Sequence, residues 1–144
     1  MTYPLVALTY AATLPTMIVL HFAADFLLQF DPIARGKRRE NEPDTSARWC
    51  ALHVLIHTLT QAAGLLALWG FVDLSYAPAW AVGGLAFNGV AHFWADRRTQ
   101  FLKVMRATGH AGFLDRYGDA ARHALDQVFH VMCLFPAALL IVQH

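Results

Sequence analysis

The chain alternates between long apolar stretches and shorter polar segments. Four stretches, residues 5–30, 49–71, 78–96 and 124–142, contain no Lys, Arg or Glu. Each is about long enough to cross a hydrocarbon core of ~30 Å as an α-helix. Four such helices buried inside a soluble protein would leave a chain of 144 residues with little polar surface to cover them. The pattern therefore predicts an all-α fold, a four-helix transmembrane bundle, with residues 1–144 forming a single integral membrane domain.

The composition supports a membrane protein and excludes several other classes. Hydrophobic residues make up 57% of the chain and charged residues 15%, whereas soluble domains are about one quarter charged. The net charge of +1 gives no reason to expect a nucleic-acid partner. Two cysteines, Cys50 and Cys133, are too few for a disulfide framework. The N-terminus lacks the basic residues that begin a cleaved signal peptide, so the first stretch is predicted to be a retained helix.

The positive charges predict an orientation in the membrane. All eleven Lys and Arg residues fall in two segments, residues 31–48 and 97–123, and none lies near either terminus or in the connection around residues 73–77. Because the two segments are separated by two spans, they must lie on the same side. The positive-inside rule makes that side cytoplasmic. We therefore expect both termini outside, in what is most simply a bacterial inner membrane.

The two basic segments differ in character. Residues 31–48 mix both charge signs with Pro and Gly, which is typical of a solvated connector with a cluster of orienting cations. Residues 99–107 alternate apolar and basic positions, which predicts a short interfacial helix on the membrane surface. Gly109, Gly112 and Gly118 are then expected to break the chain before the fourth span.

Every predicted span carries one pair of polar ionisable residues spaced i, i+4. The pairs are His21 with Asp25, His53 with His57, His92 with Asp96, and Asp126 with His130. This spacing places both side chains of a pair on one helix face. One such pair is more often a packing feature than a site, but ionisable groups inside spans are costly and usually functional. Four pairs built only from His and Asp are difficult to attribute to packing.

The alternating direction of the four spans places the pairs at one depth. His21, His57, His92 and His130 form a deeper layer, and Asp25, His53, Asp96 and Asp126 form a second layer about 6 Å closer to the cytoplasm. Five imidazoles and three carboxylates converging in a bundle are suited to one or two divalent metal ions. The donor set favours zinc, manganese, iron or cobalt, because calcium and magnesium prefer more oxygen. All eight residues are predicted metal ligands.

Several further residues lie within reach of the predicted site. Gln29, Gln61 and Asn88 continue the same helix faces, so each either orients a ligand or bonds a neighbouring helix. Gln127 has the same two interpretations. Cys50 and Cys133 each lie three residues from a motif histidine, but free cysteines are commonly just buried.

The motif strings resemble a known family. They are HFAADFLLQ (residues 21–29), HVLIHT (53–58), HFWADR (92–97) and LDQVFH (125–130). In this order they resemble the uncharacterised family of small bacterial and phage membrane proteins called domain of unknown function 3307. The resemblance implies that these positions belong together, and it brings no activity. The pairs are also loosely similar to the motifs of membrane metal-dependent hydrolases and His-rich di-iron enzymes, without their doubled His boxes.

The leading functional hypothesis is a membrane-embedded metal-dependent hydrolase. Its substrate would be a lipid or another amphipathic compound reached from the cytoplasmic side, with Asp25 or Asp126 as general base. Arg97, Arg98 and Arg122 either attract a phosphate or only set the topology. The alternatives are a di-iron oxygenase or desaturase, a non-enzymatic metal transporter or sensor, and a bis-histidine haem protein.

Overall fold

The chain is an all-α protein. The computed structural model describes residues 3–37 and 42–143, and this part of the chain contains no β-strand. Its α-helices are α1 (Tyr3–Phe26), α2 (Asp31–Lys37), α3 (Pro43–Val72), α4 (Pro78–Asp96), α5 (Thr99–Met105) and α6 (Ala111–Ile141). A π-helical turn, Arg106–His110, joins α5 to α6. All four predicted stretches form helices, although α1 ends before residue 30 and α3 and α6 begin earlier than expected.

The four long helices pack side by side in a closed order. Helix α1 contacts α3 and α6, and α4 contacts the same two helices from the other side. Helix α2 packs on α3. Both α3 and α4 have a proline in their first turn, where the missing N–H costs no helical hydrogen bond. This arrangement directs one face of each long helix towards a common interior.

Within residues 3–37 and 42–143, three helical segments are long and apolar enough to cross a membrane. They are Leu5–Phe26, Pro43–Val72 and Thr99–Ile141, the last of which includes α5, the π-helical turn and α6. Helix α4, with 19 residues, is not among these segments. The structure thus supports a membrane protein with three candidate spans, one fewer than the sequence predicts.

The distribution of polar and apolar side chains is inverted relative to a soluble protein. Large apolar side chains project outward along the long helices, among them Leu8, Val19, Leu55, Leu66, Val90 and Met132. The interior contains buried histidines, threonines and amides. Apolar surface of this extent is rarely left exposed by a soluble monomer, so the inversion agrees with the candidate spans.

The segment between α1 and α3 is not the simple solvated connector that the sequence predicts. Residues 31–37 form α2, whose Ile33 is buried. Gly36 lies so close to the indole of Trp49 that a Cβ would collide with the ring, so a glycine is needed for this contact. Helix α2 is therefore held against α3. Arg38 and Arg39, two of the predicted orienting cations, lie outside the described residues.

The segment between α4 and α6 follows the prediction more closely. Helix α5 forms where a short helix was expected, and its Phe101 is buried. Gly109 and Gly118 have positive φ angles of 95° and 55° and break the helical path, as predicted. Gly112 does not, since it lies inside α6 with ordinary helical geometry.

Candidate metal centre

Four histidines from the four long helices meet in the interior. The Nδ1 atom of His21 lies 2.9 Å from Nε2 of His57, which joins α1 to α3. The ring of His92 in α4 lies 4.2 Å from that of His57 and 4.0 Å from that of His130, measured between centroids. All four side chains are buried. They form the deeper layer that the sequence predicts.

The fifth histidine connects this layer to the carboxylates. His53 Nε2 lies 3.0 Å from His92 Nε2 and 3.3 Å from Asp25 Oδ1. The same His53 nitrogen is 3.5 Å from Asp96 Oδ2. Imidazole nitrogens and carboxylate oxygens from α1, α3 and α4 thus converge at one point.

The third carboxylate lies at the edge of the cluster. Asp126 Oδ1 is 3.8 Å from His130 Nδ1, and the Asp126 side chain is 19% exposed, compared with 10% for Asp25 and 8% for Asp96. Asp126 is also the carboxylate with the fewest close partners in the cluster. It is therefore the acidic group most accessible to a molecule that approaches from outside.

All eight residues predicted as ligands fall into three overlapping donor groups. Within each group one ligand atom per residue lies within 4.8 Å of the others. The groups are His21, Asp25, His57 and His92; then His53, His92 and Asp96; then Asp96, Asp126 and His130. His92 belongs to the first two groups and Asp96 to the last two. The arrangement is thus one connected cluster of potential donors.

Many of these donors have no hydrogen-bond partner within the described chain. The buried atoms without one include Asp25 Oδ1, the Nδ1 atoms of His53, His57 and His92, and both ring nitrogens of His130. A buried polar atom without a partner costs free energy, and most proteins avoid it. His130 is the extreme case, because neither nitrogen is engaged and the residue is only 2% exposed. A bound cation would use these free lone pairs.

Gln127 holds two members of the cluster in place. Its Nε2 donates to Asp25 Oδ2 at 2.9 Å, and its Oε1 lies 3.3 Å from His21 Nε2. Of its two possible orientations, Gln127 therefore adopts the one that faces the cluster. Gln61 instead donates to the backbone carbonyl of Met17 at 2.9 Å, which is a bond between helices.

The remaining candidates stay outside the donor groups. Asn88 is buried in α4, whereas Gln29 follows the end of α1 and so does not continue its helical face. Cys50 contacts the backbone, with its Sγ 3.6 Å from the carbonyl oxygen of Phe93, and Cys133 is half-buried. Neither cysteine belongs to a donor group among the described residues.

Lys37 enters the site from a segment that the sequence analysis treated as a connector. Its Nζ donates to Asp96 Oδ2 at 2.8 Å, and the two side chains are 13% and 8% exposed. The only prior signal was its place in a cation-rich segment, which predicts orientation and not a contact. The ion pair depends on α2 folding back onto α3. It gives Asp96 a positive partner near its carboxylate.

A small polar cavity adjoins the carboxylate layer. Its volume is about 160 Å³. The lining residues are Asp25, Phe26, Gln29, Ala34, Lys37, Asp96, Arg98, His123, Asp126 and Gln127. All three carboxylates of the cluster are among them, so the cavity connects the candidate metal centre to the surface.

The chain belongs to the DUF3307 family. The family model, described as a protein of unknown function, matches residues 13–144 and therefore includes all four motif pairs. The resemblance seen in the motif strings is confirmed. No curated protein and no solved structure matches the chain. The function must accordingly be argued from the residues themselves.

Proposed function

We propose that the cluster binds one or two divalent metal ions and that the protein is a membrane-embedded metal-dependent hydrolase. Its substrate would be a lipid or another amphipathic compound. One observation carries the proposal: eight buried or nearly buried His and Asp residues form three overlapping groups whose ligand atoms lie within 4.8 Å. A helical bundle is a common scaffold for a metal site of this kind.

The donor set indicates which ions would fit. Five imidazoles and three carboxylates without a thiolate suit zinc, manganese or iron better than calcium or magnesium. The first two donor groups share His92 and the last two share Asp96, and a carboxylate such as Asp96 would be able to serve two neighbouring ions. The unpartnered nitrogens of His130 would supply a ligand at one end of the cluster, and the unpartnered Nδ1 of His57 would supply one at the other.

The chain's own residues support hydrolytic chemistry. A divalent ion in the cluster would supply Lewis acidity, which lowers the pKa of a coordinated water and polarises a carbonyl or phosphoryl oxygen. Asp126 is suited to accept a proton from water, since it is the most exposed carboxylate and lines the cavity. Asp25 is the second candidate, although Gln127 already occupies its Oδ2. His21 and Gln127 would hold Asp25 in a fixed orientation.

The membrane arrangement belongs to the same proposal. Helix α4 would be the fourth span, because it also presents apolar residues outward, with Val82 66% and Val90 71% exposed. The basic segments, residues 31–48 and 97–123, would lie in the cytoplasm and both termini outside, most simply in a bacterial inner membrane. The polar cavity would then open at the level of the cytoplasmic headgroups.

Among the alternatives, a di-iron oxidoreductase is the strongest competitor. It would use the same histidines, and iron content with an oxygen requirement distinguishes it from a hydrolase. Transport is less well supported, because the apolar residues Met17, Leu65 and Leu134 pack together beyond the histidines. Haem binding is also disfavoured, since ring centroids 4.0–4.2 Å apart leave no space for a macrocycle between them.

Metal analysis of the detergent-purified protein tests the proposal. Mass spectrometry should find one or two equivalents of zinc, manganese or iron per chain, and lipid esters or phosphoesters should be hydrolysed. His57→Ala and Asp96→Ala should lose both bound metal and turnover. His110→Ala, in the π-helical turn outside the cluster, should retain both. Full hydrolytic activity in a metal-free variant would contradict the proposal.

A further inference from the structure

The polar cavity contains cationic side chains as well as carboxylates. Lys37 from α2, Arg98 from the connection between α4 and α5, and His123 from α6 all line it. These three residues are far apart in the sequence and come together only in the fold. The cavity therefore has a basic side that the metal cluster itself does not require.

The structure selects one arginine from the three that the sequence identified as possible phosphate ligands. Arg97 Nη1 donates to the backbone carbonyl of Pro43 at 3.0 Å. Arg122 pairs with the exposed Asp119 at 3.0 Å. Arg98 alone of the three lines the cavity.

The guanidinium of Arg98 is available for a ligand. Arg98 is half-buried, and its side chain makes no hydrogen bond or ion pair with another described residue. Its backbone has a positive φ of 57° with ψ −50°, in a tight turn where the N–H of Thr99 bonds Arg97 O at 2.6 Å. Strained backbone of this kind in non-glycine residues clusters at functional sites.

We propose that this cavity binds a phosphoryl group of the substrate, next to the metal cluster; the inference rests on the proposed metal-dependent function. A phosphoryl group has three acceptor oxygens, which can reach a guanidinium, an ammonium and a metal position together. Lys37 uses one of its three N–H donors on Asp96 and retains two. The volume of about 160 Å³ is below the ~300–1,000 Å³ of pockets for drug-sized ligands, so it suits a headgroup-sized moiety.

The charges in the cavity make phosphoryl binding dependent on metal. Asp25, Asp96 and Asp126 oppose the two cations Lys37 and Arg98, so the metal-free cavity is net negative and repels an anion. One or two divalent ions reverse this sign. Because coupling between two ligands is reciprocal, a bound phosphoryl group should also increase the affinity for metal.

One side of the cavity adjoins an exposed apolar segment of the chain. Phe26 contacts the ring of His123 with their centroids 5.8 Å apart, and both line the cavity. The adjoining residues Leu27 and Phe30 are 75% and 63% exposed. A polar cavity bordered by exposed apolar groups is suited to a phosphoryl compound that carries a hydrocarbon chain.

Calorimetric titration of the metal-loaded protein in a neutral detergent tests the inference. The probes are inorganic phosphate, glycerol phosphate and a short-chain phosphatidic acid, each titrated into metal-loaded and metal-free protein. All three should bind only when metal is present. Tighter binding of phosphatidic acid identifies a lipid source, and equal binding of the three probes identifies a soluble phosphate ester.

The variants Arg98→Ala and Arg122→Ala distinguish phosphate binding inside the cavity from a general attraction of anions to positive charge on the protein. Arg98→Ala should keep its metal but bind phosphate about tenfold or more weakly, because a charge-assisted hydrogen bond is lost. Arg122→Ala should match the wild type. The phosphoryl subsite is overturned if the metal-loaded wild type does not bind phosphate, or if Arg98→Ala binds phosphate as tightly as the wild type. Either result leaves the proposed metal centre intact. A protein that binds no metal overturns both proposals.

Discussion

The two ends of the helical interior differ in the polarity of the side chains that fill them. At one end, buried apolar side chains fit against one another: Met17, Leu65, Leu134, Ala137, Ala138 and Ile141. Within two helical turns along the same helices, the interior changes to His21, His57 and His130, with ring and carboxylate atoms that lack partners. The apolar end is filled by side chains of the chain itself, with the unpartnered hydroxyl of Tyr10 packed against it, whereas the polar end collects several unpartnered ring nitrogens and a carboxylate oxygen. Apolar packing and potential metal donors thus occupy adjacent turns of the same helices.

This difference predicts that bound metal changes the contribution of the polar end to stability but not that of the apolar end. Packing at the apolar end should stabilise the fold equally with and without metal, because no atom there is a ligand. Contacts at the polar end should matter most in the metal-free protein, where buried Asp96 and half-buried Asp25 and Asp126 have imidazoles, an amide and one ammonium as close partners. Single substitutions at each end, measured in both states, distinguish the two ends.

The largest effect is expected when the ammonium of Lys37 is removed. Lys37→Met leaves Asp96 without its 2.8 Å partner in a buried position, which should destabilise the metal-free protein by about 3 kcal/mol. A metal ion would supply the missing positive charge, so the loss should fall below about 1 kcal/mol in metal-loaded protein. Thermal unfolding in detergent, with and without metal, measures both values.

Lys103→Met is the matched control for this substitution. Lys103 is exposed in α5, and its removal should change neither state. An equal loss for Lys37→Met with and without metal would show that the ion pair is ordinary structural support. The polar end would then stabilise the fold independently of metal, as the apolar end does, and the predicted difference between the two ends would be wrong.

The sequence predicts the helices and the eight cluster residues because both follow from periodicity. Apolar stretches of span length specify helices, and i, i+4 spacing specifies a shared face, so His21 and Asp25 must project together wherever the helix lies. Helix α4 falls outside the candidate spans although α3, which carries as many polar site residues, is among them, so these residues alone do not account for the difference.

A second substitution tests whether packing alone governs the apolar end. A Cβ at Gly84 would lie 2.7 Å from the carbonyl oxygen of Ala137, so α4 and α6 can approach closely only because this residue is glycine. Gly84→Val should destabilise the protein by about 1–3 kcal/mol, equally with and without metal. The same unfolding measurements give this value.

The neighbouring glycine provides the control. Nothing lies within 4 Å of a Cβ built at Gly83, so Gly83→Val should stay within about 0.5 kcal/mol of wild type. If the Gly84→Val penalty depended on metal, the close approach of α4 to α6 would be coupled to the cluster. The apolar end would then not be independent of the polar one.

What the sequence could not predict are contacts between segments whose relative placement depends on packing. Lys37 reaches Asp96 only because Ile33 and Gly36 hold α2 against α3, and no local pattern specifies that docking. Gln127 was ambiguous because a position next to Asp126 can face two ways on a helix. Its orientation is decided by Asp25 and His21, which lie more than one hundred residues away in the chain.

The smallest effect is expected from a residue that supports the donors without being one. Gln127→Leu removes the hydrogen bond to Asp25 and the contact with His21, so both side chains lose orientation. Changes to such supporting residues typically cost about 10–100-fold in metal affinity, and we expect the lower figure. Gln61→Leu is the comparison, because Gln61 hydrogen-bonds the Met17 carbonyl and none of the donors described in the cluster. It should lower thermal stability by about 1 kcal/mol while leaving metal affinity unchanged. Metal titration of the two variants should therefore show weaker binding for Gln127→Leu only. Equal metal affinities would show that Gln127, like Gln61, supports the fold and not the cluster.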